Sequence, residues 1–241
     1  MLIEGDGRNL TMLKDNSVDC IITDHPWEDK KSHRNGRKHF VSEYECFKYT
    51  KEDFLEKFRV LKDGSFLVEI IPSENENNFR YLYQMKEMAL EVGFKYYAKV
   101  TWEKGTFVGN TGRKAKNSED IMFFSKGKAR SLKIDVKKTN ATGEEHFMSG
   151  TSKMLPTKFN VQAVGRKEKI HQSEKPVKLY EEIIEYVTKK GEIILDQFAG
   201  SGALGVASLL TGRNSILIEK QHSNFELIKN RMEEFEGCLN L

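Results

Sequence analysis

Short apolar runs alternate with helical hydrophobic patterns along this chain, and that alternation limits the folds open to it. Strands are predicted at 18–23, 65–71, 96–102, 121–124, 192–195 and 215–219, with a turn at 62–64 before the second of them. Helices are predicted between them, with apolar stripes at 54–61, 79–92, 179–187 and 225–232. Such a chain is expected to form an α/β fold, a doubly wound, mostly parallel Rossmann-like sheet, with ligands at the carboxyl ends of the strands.

The tetrapeptide Asp24, His25, Pro26 and Trp27 comes directly after the apolar run at 18–23. An acidic residue, a rigid proline and a flat aromatic ring therefore stand where a predicted strand opens into a loop. A carboxylate and a backbone carbonyl can accept the two hydrogens of a planar amine, while an aromatic ring stacks on its face. The tetrapeptide is thus predicted to hold a planar amine.

A glycine-rich loop follows the predicted strand that ends at Asp196. Gly200, Gly202 and Gly205 spell G-x-G-x-x-G, and Glu219 ends the next predicted strand. Glycines permit a tight turn and close approach of the backbone to a ligand, and the acid can accept hydrogen bonds from ribose hydroxyls. A dinucleotide and S-adenosylmethionine both fit this pattern. Too few residues follow Gly205 for the second half of a dinucleotide fold, which favours S-adenosylmethionine.

Together, the tetrapeptide and residues 198–202 resemble the two motifs of the amino-methyltransferases of DNA. These enzymes place D/N/S-P-P-Y/F/W at the target base and F-x-G-x-G at S-adenosylmethionine. The tetrapeptide precedes the glycine loop here, with a basic insertion between them, and this is the permuted order of the β class. Further segments resemble the family in the right order: 5–13, 58–64, 93–104 with 117–127, 171–177 and 212–219.

The resemblance implies one catalytic domain over 1–241 that transfers a methyl group from S-adenosylmethionine to an exocyclic amine in DNA. Asp24 and the carbonyl of His25 would hold the amine, with Pro26 constraining the loop and Trp27 stacking on the flipped base. An aspartate at the first motif position goes with adenine N6 more often than with cytosine N4. The expected cofactor-binding residues are Asp6, Lys175, Asp196, Phe198, Ala199, Gly200, Ser201, Gly202 and Glu219.

Three other functions stay open at this point. Trp27 also occurs in relatives that act on RNA, so adenine in RNA is an alternative substrate. Methylation of cytosine N4 in DNA is the second alternative, and a catalytically silent subunit that binds nucleic acid beside an active homologue is the third. Homodimers are common in this class, so the protein partner is expected to be a second copy or a methyltransferase-like chain.

His25 departs from the resemblance, because the family usually has a second proline at this position. The contact assigned to the position is made by the backbone, so loss of the proline ring need not abolish it. Pro26 still biases residue 25 toward extended geometry. An imidazole near the reacting amine, with an ordinary pKa of about 6.5, is expected to make the site sensitive to pH.

The net charge of +3 conceals a strong asymmetry. Residues 104–170 carry 15 Lys and Arg against 6 Asp and Glu, so the remainder of the chain is acidic. The range 125–170 is predicted to be an inserted target-recognition region whose lysines contact DNA phosphates, although a solvated surface would look the same. Its basic residues include Lys126, Lys128, Arg130, Lys133, Lys137 and Lys138. The basic segment 28–44 is predicted to close over the target strand.

Several classes of protein are disfavoured by composition. No apolar run approaches the ~20 residues of a membrane span, and the N-terminus lacks the pattern of a signal peptide. The three cysteines have no metal-binding spacing, and no metal site is expected. Free thiols are typical of a reducing compartment, so a cytoplasmic location is expected. His171 is expected to shape the turn before Pro176.

Overall fold

The computed structural model describes residues 1–27, 46–106, 109–110, 115–131, 137–147, 154–165, 167–171 and 173–239. The predicted closing segment at 28–44 and Lys133 lie outside these residues. The elements, in chain order, are β1 (Leu2–Glu4), β2 (Val18–Thr23), α1 (Lys51–Val60), β3 (Leu61–Pro72), α2 (Phe79–Val92), β4 (Phe94–Glu103), β5 (Gly109–Asn110), β6 (Ala115–Lys116), β7 (Ser118–Lys126), β8 (Lys137–Thr139), β9 (Glu145–Phe147), β10 (Lys158–Asn160), α3 (Val177–Val187), β11 (Ile193–Asp196), α4 (Ala203–Leu210), β12 (Asn214–Glu219) and α5 (His222–Leu239).

Eight strands form one sheet in the order β1-β12-β11-β2-β3-β7-β4-β10. Neighbouring strands are parallel except where β7 pairs with β3 and with β4. The predicted doubly wound, mostly parallel α/β sheet is therefore confirmed. Two short antiparallel pairs, β5-β6 and β8-β9, lie outside it.

The two faces of the sheet are covered by different helices. Cys20 and Ile22 point to one face and pack with α3 and α4, whereas Ile21 points to the other face and packs with α1 and α2. Side chains alternate along a strand, so a strand buried on both faces reads as an uninterrupted apolar run. That is why residues 18–23 are apolar almost throughout and why all six are buried.

Local signals in the sequence set the helix ends. At the start of α1, Thr50 and Asp53 form a capping box. α2 ends at Gly93, whose φ of 117° lies in the left-handed region that glycine adopts at little cost. Pro176 immediately precedes α3, and Gly202 immediately precedes α4.

β3 begins earlier than predicted. Val18 pairs with Leu61 and Cys20 pairs with Phe66, so the turn predicted at 62–64 is a bulge within the strand. Gly64 has a φ of 76° there, which explains why a turn-like sequence occurs inside a sheet.

Some residues of the range predicted to be inserted belong to the main sheet. Its first residues belong to β7, which runs to Lys126, and residues 158–160 form β10, which pairs in parallel with β4 at the sheet edge. Between them, the described residues form the β8-β9 hairpin. Periodicity could not reveal β10, because it is a strand of three residues with one buried side chain.

Two of the basic residues predicted to contact DNA stabilise the fold instead. Lys126 is buried, and its ammonium donates to Asn16 Oδ1 at 2.6 Å and to the Leu61 carbonyl at 2.8 Å. Arg130 binds both carboxylate oxygens of Glu192, at 2.6 and 2.7 Å. Lys128 is exposed, so it remains available for the predicted contact with DNA phosphates. In the described part of the chain, no helix has the length and apolar character needed to cross a membrane.

Candidate active site

The two sequence motifs meet because β2 and β11 are neighbours in the sheet. Asp24 follows the carboxyl end of β2, and the glycine loop follows the carboxyl end of β11. The Thr23 hydroxyl donates to Asp196 Oδ1 at 3.1 Å, which joins the two strand ends directly. Such an edge is where open α/β sheets bind ligands.

Hydrogen bonds to two carboxylates hold the glycine loop. The backbone N–H of Phe198 donates to Asp196 Oδ1 at 3.1 Å, and that of Gly200 donates to Glu219 Oε2 at 2.9 Å. The Ala199 N–H donates to the Ile218 carbonyl at 3.0 Å. Asp196 and Glu219 therefore shape the loop, in addition to any contact they make with a ligand.

Burial raises the pKa of Asp196 to about 7, and the hydrogen bonds from Phe198 and Thr23 oppose this rise. A carboxyl group of this kind is poised between its neutral and charged forms at neutral pH. It can therefore respond to a positively charged ligand at the loop.

Gly202 allows the close contact between the loop and α5. Its φ is 72°, and an added Cβ would lie 2.9 Å from the Ile228 side chain. Glycine is thus favoured at this position by the positive φ and by the lack of space for a side chain.

His171 braces the loop from outside, and Glu174 does so by way of Arg231. An added Cβ at Gly200 would lie 3.4 Å from the His171 ring, which shows how closely the ring covers the loop. Arg231 of α5 donates to Glu174 Oε1 at 2.9 Å and to the Ser201 carbonyl at 2.8 Å. The Ser173 N–H donates to His171 Nδ1 at 3.3 Å, which agrees with the predicted role of His171 in this turn.

Lys175 is directed at the tetrapeptide. Its ammonium donates to Asp24 Oδ2 in a close ion pair and lies 3.6 Å from Glu119 Oε2. Glu119 in turn accepts a hydrogen bond from Lys104 at 2.5 Å. The predicted cofactor residue Lys175 is therefore the counter-ion of the predicted catalytic carboxylate.

Burial raises the pKa of Asp24, the positive charge of Lys175 opposes the rise, and the negative charge of Glu119 adds to it. The pKa of Lys175 is raised, because Asp24 and Glu119 outweigh the cost of its burial. Within the described residues, no further hydrogen bond reaches Asp24, so Oδ1 remains able to accept an N–H from a ligand.

Aromatic side chains surround the rest of the tetrapeptide. The His25 ring is 1% exposed, and its centroid lies 4.0 Å from Trp27 and 4.2 Å from Tyr49. Trp27 meets Tyr81 edge-on at 5.2 Å. The Pro26 carbonyl accepts a hydrogen bond from the Phe47 N–H at 3.4 Å, which ties the tetrapeptide to residues 46–49.

The expectation that His25 changes charge near neutral pH is wrong. Burial lowers its pKa well below the ordinary value, and the positive charge of Lys57 lowers it further. Lys57 is itself fully buried in an ion pair with Glu69, and its ammonium lies 3.7 Å from the centroid of the Tyr49 ring. The imidazole is therefore neutral at physiological pH.

Asp6 and Glu219 lie together at the other side of the loop. Glu4 pairs with Glu219 across β1 and β12, and the Gly5 N–H donates to the Glu219 carbonyl at 2.9 Å. Asp6 follows directly and is partly exposed. Asp6 and Glu219 thus stand at the ends of neighbouring strands, and Glu219 contacts the glycine loop through the Gly200 N–H.

Sequence reasoning missed Glu119, Lys104 and the residues beneath His25. Glu119 is the second residue of β7, and β7 is antiparallel to its neighbours, so its first residues lie at the same edge as their last residues. Lys57 and Glu69 did give a signal, since each is a charged residue within an otherwise apolar pattern. Tyr81 gave none, because a tyrosine on an apolar stripe is an ordinary core residue.

Comparison with known proteins shows which family this chain resembles. The model of the N6/N4 methylase family, described as DNA methylase, matches residues 18–230. The chain is 25% identical over 236 residues to the type II methyltransferase M.HpaI of Haemophilus parainfluenzae, a match that covers 95% of this chain and 72% of that protein. It is 28% identical over 250 residues to the type II methyltransferase M2.MboI of Moraxella bovis, with 95% and 86% covered.

Solved structures share the fold. The M1.HpyAVI–SAM complex has a TM-score of 0.66 at 22% identity, with 96% of this chain and 98% of that chain covered. The cytosine-N4-specific PvuII DNA methyltransferase has a TM-score of 0.64 at 16% identity, with 99% and 90% covered. The family match spans most of the chain and includes both motifs, so this protein belongs to the N6/N4 DNA methylase family.

Proposed function

We propose that this protein methylates the N6 amino group of adenine in DNA, with S-adenosylmethionine as the methyl donor. The pairing of β2 with β11 carries the proposal, because it joins the strand end that leads into Asp24 to the strand end that leads into the glycine loop. Asp24 at the first motif position supports adenine over cytosine by resemblance. The assignment to the β class rests on motif order and stays a prediction.

The residues around the loop fit this cofactor. Acidic side chains at Asp6 and Glu219 suit its hydroxyl and amino groups, and Phe198 offers a partly buried ring beside them. Gly200 has a φ of 52°, which brings the loop backbone close to any ligand there. S-adenosylmethionine would supply an electrophilic methyl group, while the residues of this chain position the acceptor.

The amine must be localised because its lone pair is delocalised into the base. Asp24 Oδ1 would accept one N–H and the carbonyl of His25 the other, which aligns the lone pair for attack. The nitrogen gains a methyl group and loses one proton, and Asp24 accepts that proton. The raised pKa of Asp24 suits it to this late role.

Transfer of labelled methyl groups tests the proposal. Purified protein is incubated with labelled S-adenosylmethionine and with DNA or RNA, and the nucleic acid is then digested to nucleosides. We expect label in N6-methyladenine from DNA. Label in N4-methylcytosine or in RNA would support those alternative substrates instead. Binding of cofactor and DNA without any labelling would favour the silent subunit.

Asp24→Ala distinguishes catalysis at this site from a contaminating activity. We expect a loss of at least about 100-fold in kcat, because the variant lacks both the hydrogen-bond acceptor and the proton acceptor. Asp63→Ala is the matched control, since the Asp63 side chain is 89% exposed and lies away from the tetrapeptide. Equal rates in the two variants would contradict the assignment of Asp24.

A further inference from the structure

His25 stands where the family usually has a proline, so another constraint must hold the backbone of the tetrapeptide. A proline ring restricts the backbone covalently. The imidazole is instead enclosed on several sides, by Trp27, Phe47, Tyr49 and Tyr81. Packing alone tolerates sliding of flat rings, and a directional contact is needed to fix one arrangement.

A hydrogen bond from α2 supplies that direction. Tyr81 Oη lies 3.1 Å from His25 Nε2, and the backbone N–H of Tyr49 donates to the same oxygen at 2.8 Å. A backbone N–H can only donate, so it occupies one lone pair of the phenol and leaves the phenolic hydrogen and a second lone pair available to His25 Nε2. A neutral imidazole can therefore accept the phenolic hydrogen at Nε2 or donate Nε2–H to the second lone pair, and either tautomer ties the two side chains together.

The surroundings of His25 favour the neutral imidazole. Lys57 places a buried positive charge against the Tyr49 ring, which itself packs on the imidazole, and this disfavours a second charge there. Among the described residues, His25 Nδ1 is buried without a hydrogen-bond partner, so Nε2 is the atom through which they hold the ring. Tyr81 is itself nearly buried, and it also meets the edge of Trp27.

We propose that Tyr81 is a positioning residue for the tetrapeptide: by its hydrogen bond to His25 Nε2, it replaces the constraint of the missing proline. Tyr81 thereby fixes the His25 carbonyl and the Trp27 ring, the two groups that face the target amine in the proposed function, on which this inference rests. Because Tyr81 acts through His25, its effect on methyl transfer should disappear once the imidazole is absent. It should also disappear once proline at position 25 supplies its own constraint.

A mutant cycle between Tyr81 and His25 tests this dependence. We expect Tyr81→Phe to lower kcat for methyl transfer by about tenfold in the natural background, with little change in the KM for the cofactor. In the His25→Pro background, the same substitution should change kcat less than about twofold. His25→Ala provides a second background if the proline variant does not fold. Tyr83→Phe, on the same helix and 60% exposed, is the matched control.

The cycle separates the proposed role from a structural one. Tyr81→Phe also leaves the Tyr49 N–H without its acceptor, and this loss is present in every background. An equal loss of kcat with and without the imidazole would therefore overturn the proposal. A rise in KM at unchanged kcat would also overturn it.

Nuclear magnetic resonance tests the arrangement independently of activity. The ¹⁵N shifts of His25 should show a neutral imidazole with Nε2 in a hydrogen bond, and an Nε2 shift that does not change in Tyr81→Phe would overturn the proposal. The Trp27 indole resonance should broaden in Tyr81→Phe but not when Tyr81→Phe is added to His25→Pro. If the natural protein transfers no methyl group, the proposed function fails, whereas these resonances still decide whether Tyr81 holds the tetrapeptide.

Discussion

At the scale of single residues, the charge of Asp24 depends on its neighbours. Desolvation favours the neutral carboxyl group, and Lys175 favours the carboxylate. Lys175 reaches Asp24 from a segment 151 residues further along the chain. A carboxylate that must accept an N–H is useful only while it is ionised, so Lys175 determines the pH range in which the site can work.

Replacing Lys175 by methionine should shift the acid side of the pH profile. Without the ammonium, the pKa of Asp24 rises further, so the carboxylate becomes protonated at a higher pH. We expect the pH below which kcat/KM falls to move upward, with recovery in alkaline buffer. Lys178→Met, an equal change on an exposed lysine, should leave the profile in place. An unmoved acid limb would show that Asp24 does not control it.

The neutral state of His25 should appear in the pH dependence of stability. Its folded-state pKa lies well below its unfolded value of about 6.5, so at intermediate pH only the unfolded chain binds the proton. The free energy of unfolding therefore falls as pH drops below about 6.5. Urea unfolding should show the stability of the natural protein falling more steeply than that of His25→Gln. Parallel losses in both proteins would indicate that other groups are responsible.

At the scale of elements, the loops after β1 and β11 interlock. Gln197 Nε2 donates to the Gly7 carbonyl at 2.6 Å, and an added Cβ at Gly7 would lie 1.8 Å from the Gln197 carbonyl oxygen. Nothing lies within 4 Å of the corresponding position at Gly5. Gly5 and Gly7, which have one residue between them in the same turn, thus differ: only Gly7 lacks space for a side chain.

Gly7→Ala should destabilise the protein, whereas Gly5→Ala should not. The clash at Gly7 involves backbone atoms, so it can be relieved only by moving the glycine loop, at a cost of about 1–3 kcal/mol or more. We expect Gly7→Ala to lower Tm and to weaken cofactor binding in calorimetry. The contrast would be lost, and the loop contact disproved, if both variants behaved alike.

At the scale of the whole molecule, the basic residues predicted to bind DNA differ in their surroundings, because some of them make contacts within the fold. Lys126 and Arg130 are engaged within the fold, so they leave the phosphate-binding role to other basic residues. Lys137 and Lys138 belong to the β8-β9 hairpin, outside the main sheet. Fewer basic residues of the proposed recognition region are thus available to contact DNA than its composition suggested.

Neutralising Lys137 and Lys138 together should weaken DNA binding and reduce its dependence on salt. Each lost phosphate contact lowers the slope of log K against log salt by about 0.9 for duplex DNA. The same change should have a smaller effect at Lys189 and Lys190. These exposed residues precede the amino end of β11, whereas the glycine loop follows its carboxyl end. Identical slopes for the two double variants would place the DNA elsewhere.

Sequence periodicity predicted the sheet well because burial on both faces leaves an apolar record in each long strand. It missed β10, which is too short to show a period, and it read the bulge at 62–64 as a turn. The motifs predicted which strand ends carry the site, since the residue after a parallel strand lies at the ligand-binding edge. No comparable sequence pattern predicts which side chains pair across that edge.

The sequence by itself determined the fold class, the two loops and the residue types in them. Only the tertiary structure brought Lys175 to Asp24, brought Glu119 to the same edge through an antiparallel strand, and placed Lys57 behind His25. The reason is physical: hydrophobic patterns are local along the chain, whereas pKa values and ion pairs depend on distances that only strand order and burial establish.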